Sequence, residues 1–106
     1  MNAKQIEVHG YFKALYPKAL VLYHLPGQYV VLGDDVYTAQ KSITNIQIVE
    51  DEVATMPDDI RMLSLLGADG TETHIVQYRN DDGVLDYPDV NRLKEEKDLD
   101  SKLFST

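Results

Sequence analysis

The three histidines, His9, His24 and His74, are the side chains of this chain best suited to proton transfer or metal ligation. They fall on one predicted helix and two separate predicted strands, and no spacing between them resembles a metal-binding pattern. Ordinary, partly exposed positions are expected for all three. The pairs Asp34-Asp35, Asp58-Asp59 and Asp81-Asp82 have the composition of paired-carboxylate or cation sites. Each stands at a predicted helix start or turn, where backbone hydrogen bonding and the helix dipole favour Asp, so capping is the expected role. The stretch "DDGVLDYPD" lacks the ligand spacing and terminal Glu of an EF-hand loop. Ser42, Ser64, Ser101 and Ser105 sit in no nucleophile-elbow context. The absence of cysteine excludes disulfides, thiolate zinc sites and cysteine nucleophiles. No catalytic residue, metal site or cofactor is expected.

Seven tyrosines are more notable, five of them (Tyr11, Tyr16, Tyr23, Tyr29 and Tyr37) early in the chain. An aromatic platform can stack nucleic-acid bases. Tyr23 and Tyr29, however, flank a predicted hairpin turn, where aromatic side chains commonly serve the core, and that is the expectation for both.

The elements that position these residues follow from spacing. Val8, Tyr11, Phe12 and Leu15 recur at helical intervals and predict a helix over 3–16 that stops before Pro17, with Gly10 as its weak point. "ALVLYHL", 19–25, is apolar on both faces, as a strand covered on both sides would be. Pro26-Gly27 supplies turn chemistry before a second strand in "QYVVL". Gly33 and Asp34-Asp35 then open a helix carrying Val36, Tyr37, Ala39 and Gln40. "SITNIQIVE" alternates Ile43, Ile46 and Ile48 and predicts a strand, and "EDEVATM" a short extended piece.

"PDDIRMLSLLG" predicts a helix with Pro57 at its first position, Gly67 as its cap, a buried face of Ile60, Leu63 and Leu66, and Met62 alongside. "TETHIVQYR" predicts a strand centred on Ile75 and Val76. "NDDG" predicts a hairpin turn, and "VLDY" an edge strand pairing back. Pro88 and Asp89 open a charged helix with Val90 and Leu93 on one side. Helices alternating with strands and hairpins imply an α+β (mixed α/β) domain. The expectation is one mixed sheet of about five or six strands with three or four helices. Residues 1–97 would form that domain, and 98–106 an acidic, fraying tail.

At 106 residues the chain has room for one modest core. No segment is long and apolar enough to span a membrane, and the first residues lack the apolar run of a signal peptide, so a cytoplasmic protein is expected. The formal net charge is -8. Residues 1–53 carry four lysines against six carboxylates, whereas 54–106 carry six basic against twelve acidic residues. DNA affinity rests largely on Lys and Arg neutralising phosphates, so this balance argues against tight, independent DNA binding and suits a basic partner.

"YFKALYPKALVLYHLPGQYVVLGDDVYTAQ", 11–40, resembles the N-terminal mismatch-recognition domain of the DNA mismatch repair protein MutS family. An aromatic-bearing helix ending near a proline, an apolar strand, a Gly-containing turn, an aromatic second strand and a paired Asp opening a helix occur in the family's order. The similarity resumes in "PDDIRMLSLLGADGTETHIVQY", 57–78, and is clearest overall from 8 to 80. The resemblance implies a mixed sheet surrounded by helices. It also implies a Phe-x-Glu motif on the second strand, whose Phe wedges beside a mispaired base while the Glu hydrogen-bonds it. A mispaired base stacks poorly, so a wedge unstacks it at lower cost.

Ungapped, the motif positions fall on Gln28 and Val30. With Gly27 aligned to the family's glycine, Tyr29 takes the Phe position and Val31 that of the Glu. The Glu is missing either way, and the chain has no GxxxxGK[ST] loop for an ATPase. The expectation is a free-standing, non-catalytic domain whose probe is lost, serving as a protein-interaction module or remnant. The alternative is a weak mismatched-DNA-binding module that touches DNA through Lys4, Lys13, Lys18 and Tyr29.

Overall fold

A computed structural model of the chain describes residues 1–79 and 82–95. The expected tail at 98–106, with Ser101, Ser105 and the first half of the "NDDG" turn including Asp81, lies outside the described residues. Helix α1 (Ala3–Leu15) starts with a reciprocal capping box: the Gln5 N–H donates to the Asn2 side chain, and the Asn2 N–H donates to the Gln5 side chain. It runs through Gly10 and buries Val8 and Phe12, while Leu15 is exposed.

Strands β1 (Leu20–Leu25) and β2 (Gln28–Leu32) pair antiparallel around Pro26-Gly27. Gly27 holds φ at +79°, a backbone region that disfavours side chains. Helix α2 (Asp35–Ser42) follows, then β3 (Gln47–Glu50), β4 (Val53–Pro57), α3 (Ile60–Ala68) and β5 (Thr73–Val76). A last helix, α4, covers 90–95 among the described residues.

The sheet runs in the order β3-β4-β2-β1-β5, with β5 parallel to β1 and every other pairing antiparallel. This is the α+β class predicted from spacing: a mixed five-stranded sheet with four helices. Both faces of β1 are buried because the sheet is the middle of three layers. Leu20 and Leu22 face α2 and α3 in one core with Val31, Val36, Ala39, Ala54, Met56, Met62 and Leu66. Val21 and Tyr23 face α1 in another with Val8, Phe12, Val30, Leu32, Val53 and Val90.

Several elements differ from the expectation. Pro57 ends β4 rather than starting α3, whose N-cap is Asp59, with its carboxylate accepting from the Arg61 N–H. Met62 and Leu66 point inward as expected, with Leu63 packed against the same core, whereas Ile60, at the first helical position, is left 76% exposed. Gly67 lies inside the helix. The end is set by Gly70 at φ +75°, where Thr71 N–H donates to the Leu66 carbonyl and Gly70 N–H to that of Gly67. Ile43 belongs not to a strand but to the buried end of α2. The extended piece expected in "EDEVATM" is β4, an interior strand between β3 and β2. "VLDY" forms no strand and contributes one isolated bridge, Arg79 with Leu85.

Candidate functional site

The hairpin places the probe-equivalent residues on β2, and β2 lies in the interior of the sheet. Tyr29 is only 6% exposed, its ring 4.8 Å from that of His24 and packed in the core beneath α2 and α3. Val30 and Val31 are buried on opposite faces, and Gln28 alone of these positions is half-buried at the strand's start. Tyr23 is also core, as expected, although it faces the opposite layer from Tyr29.

Nor does the structure gather the lysines. Lys4 pairs with Asp86 at 3.2 Å. Lys13 turns inward, donating to the Ala19 carbonyl at 2.6 Å and to Asp35 at 3.1 Å. Both lie on α1, across the sheet from Tyr29, and Lys18 is exposed beyond the helix end.

Two polar constellations surround histidines, and both are closed. His9 is buried, against expectation, because Gly33 leaves room for its ring: a Cβ there would meet the imidazole at 3.0 Å. Its Nδ1 lies 3.0 Å from the Tyr23 hydroxyl, while Nε2 stands 3.9 Å from Asp35, too far for a hydrogen bond. Burial holds the imidazole below its ordinary pKa, against the opposing pull of Asp35. Burial likewise pushes the Tyr23 phenol up, so it stays a hydrogen-bond donor at neutral pH.

Asp35 does not cap its helix from outside. It is buried and accepts from the Val21 N–H at 3.1 Å and from Lys13, tying α2 to β1 and α1. Asp34, at the N-cap, makes no side-chain cap bond. Near the other end of β1, His24 Nε2 lies 3.1 Å from Asp58, and Nδ1 lies 2.9 Å from the Gln77 amide. With both ring nitrogens engaged, His24 offers none to a substrate. Among the described residues no three His, Asp or Glu side chains converge as metal ligands.

The open surfaces lie elsewhere. A groove of about 490 Å³ runs between the end of β4 and α3, lined by Asn45, Pro57, Asp59, Arg61, Met62 and Leu65. It adjoins a second of about 320 Å³ that reaches the hairpin tip at Gln28 and is bordered by Gln47 and Thr55. Flanking them is β3, the one strand of the sheet in which every residue is exposed; Ile48 is 53% and Val49 63% accessible. Spacing predicted a strand from the alternation of Ile43, Ile46 and Ile48 but did not show that its Ile48 and Val49 would be exposed. The signal was in "IQIVEDE", where two adjacent β-branched residues run directly into three acids.

Comparison with protein-family models, with curated proteins and with solved structures finds no match.

Proposed function

We propose that the chain is a non-catalytic protein-interaction module, related to the mismatch-recognition domain of MutS, in which the DNA probe has become core. One observation carries this reading: the only aromatic at the probe positions, Tyr29, is buried, while β3 presents Ile48 and Val49 to solvent. A wedge must leave its own protein to enter a base stack. Withdrawing a buried aromatic forfeits on the order of 2–3 kcal/mol of burial before any DNA contact is made. The lysines that would hold phosphate are engaged at Asp86 and Asp35 or stand apart, and the net charge of -8 repels a polyanion. Adjacent exposed β-branched side chains on a free sheet edge, beside a partly apolar groove, suit a protein partner instead.

The test is a photo-crosslinking residue placed at Val49 and, as control, at exposed Ile6 on α1, in cells that make the protein. The expected result is one dominant protein adduct from position 49 and none from position 6. Equal labelling from both positions, or adducts with nucleic acid alone, contradicts the proposal.

A further inference from the structure

We infer that β3 takes an extended, basic segment of a partner protein as a sixth strand, antiparallel to β3, with cationic residues set against Glu50, Asp51 and Glu52. The inference rests on the interaction-module reading and names the partner's chemistry. β3 bonds to β4 on one side and to no strand on the other, so its outward N–H and C=O groups form an open template among the described residues. Burying nothing in the core, it owes its intrachain stability to β4 alone, and Ile48 and Val49 stand ready to cross-pair with an added strand. The ladder shifts register between Ile48 and Glu50, which keeps the pairable run short. Backbone pairing alone would therefore be weak, and charge must add to it.

That charge is present. Glu50, Asp51 and Glu52 are all exposed; the Met1 ammonium donates to the Asp51 backbone carbonyl at 3.4 Å, but none of the three carboxylates has an ion pair among the described residues. Glu52 holds φ at +60°, where glycine is the comfortable residue, so a carboxylate is kept there against local strain. Charge also separates this partner from a second copy of the chain. A two-fold antiparallel pairing centred on Ile48 or Val49 would set residues 50–52 of one copy against residues 44–48 of the other. None of those carries a charge, so all the carboxylates would stay unmatched while two chains of net charge -8 approached.

The test uses the isotope-labelled full chain and a synthetic peptide of three lysines followed by alternating valines and threonines, read by amide shifts and hydrogen exchange. Binding is expected to protect amides within 47–50 and to weaken as salt screens the carboxylates. A peptide of equal charge with prolines replacing alternate valines should not bind, because it cannot donate to the ladder. Glu52→Gly should raise the melting temperature while weakening binding about two- to fivefold, the range of one exposed ion pair. Equal binding of the proline peptide would overturn the inference, as would sedimentation showing that the chain without peptide dimerises through β3. Protection confined to the groove beside α3 would overturn β3 as the docking strand and leave the interaction-module reading standing. Position-49 adducts with nucleic acid alone would defeat that reading itself.

Discussion

Tyr29 is the residue on which the two readings of this chain diverge, and its energetics separate them. A side chain packed beneath α2 and α3 against His24 cannot be truncated without leaving a cavity. Tyr29→Ala should therefore destabilise the fold by about 3–5 kcal/mol in denaturant unfolding, whereas an exposed probe would change stability by no more than about 0.5 kcal/mol. His9 makes a second residue-scale prediction. Its folded-state pKa lies below the ordinary value, so on acidification the unfolded chain takes up a proton that the folded chain refuses. Stability should be intact above about pH 6.5 and fall below it, by up to about 1.4 kcal/mol per pH unit, until the folded-state pKa is passed. His9→Gln should flatten that slope in urea titrations repeated between pH 7.5 and 5. Tyr29 was expected in the core from its place beside the hairpin turn, whereas the role of His9 was not legible, because burial of a lone histidine depends on what packs over it. Here that is Gly33, far from His9 in the chain.

At the scale of elements, local chemistry was legible and its tertiary override was not. The α1 spacing, the Pro26-Gly27 turn and the two-sided apolarity of β1 each have a single structural solution, and each formed as predicted. Helix α3 formed with Leu66, Met62 and Leu63 against the core as expected, but it starts later than Pro57 and leaves Ile60 exposed. Asp59 rather than Pro57 supplies the start, which puts Ile60 at the first helical position, at the exposed end of the helix. The corrected face predicts that Leu66→Ala loses about 2–5 kcal/mol while Ile60→Glu stays within about 0.5 kcal/mol, both read by thermal or urea unfolding. Comparable losses at both positions would restore the expected face, in which Ile60 is buried with Leu66. β4 was underestimated because five residues of mixed character give no periodicity. Its place inside the sheet follows from pairing with β2 from Gln28–Pro57 to Leu32–Val53, a long-range fact that no local pattern encodes.

Across the whole molecule, the sheet sorts what is closed from what is open. His9 and the probe-equivalent aromatic serve its interior, His24 and His74 are partly exposed, and the exposed apolar residues include Ile48 and Val49 on β3 and Ile60 and Leu65 on α3. Composition already carried half of this: a net charge of -8 opposes a polyanion whatever the fold. The other half, which edge of the sheet stays free, needed the strand order. Mismatch-reading chemistry requires an accessible aromatic with a hydrogen-bonding residue two positions on. The fold places half-buried Gln28 and buried Val30 at those points under one alignment of "GQYVV", and buried Tyr29 and Val31 under the other. The proposal that the hairpin does not read DNA is tested by anisotropy titration of matched and mismatched duplexes at low salt. The expected result is no preference for the mismatch and no binding tighter than about 0.1 mM, the weak end of non-specific affinity. Mismatch-selective binding that a folded Tyr29→Phe protein retains and a folded Tyr29→Leu protein loses would contradict it.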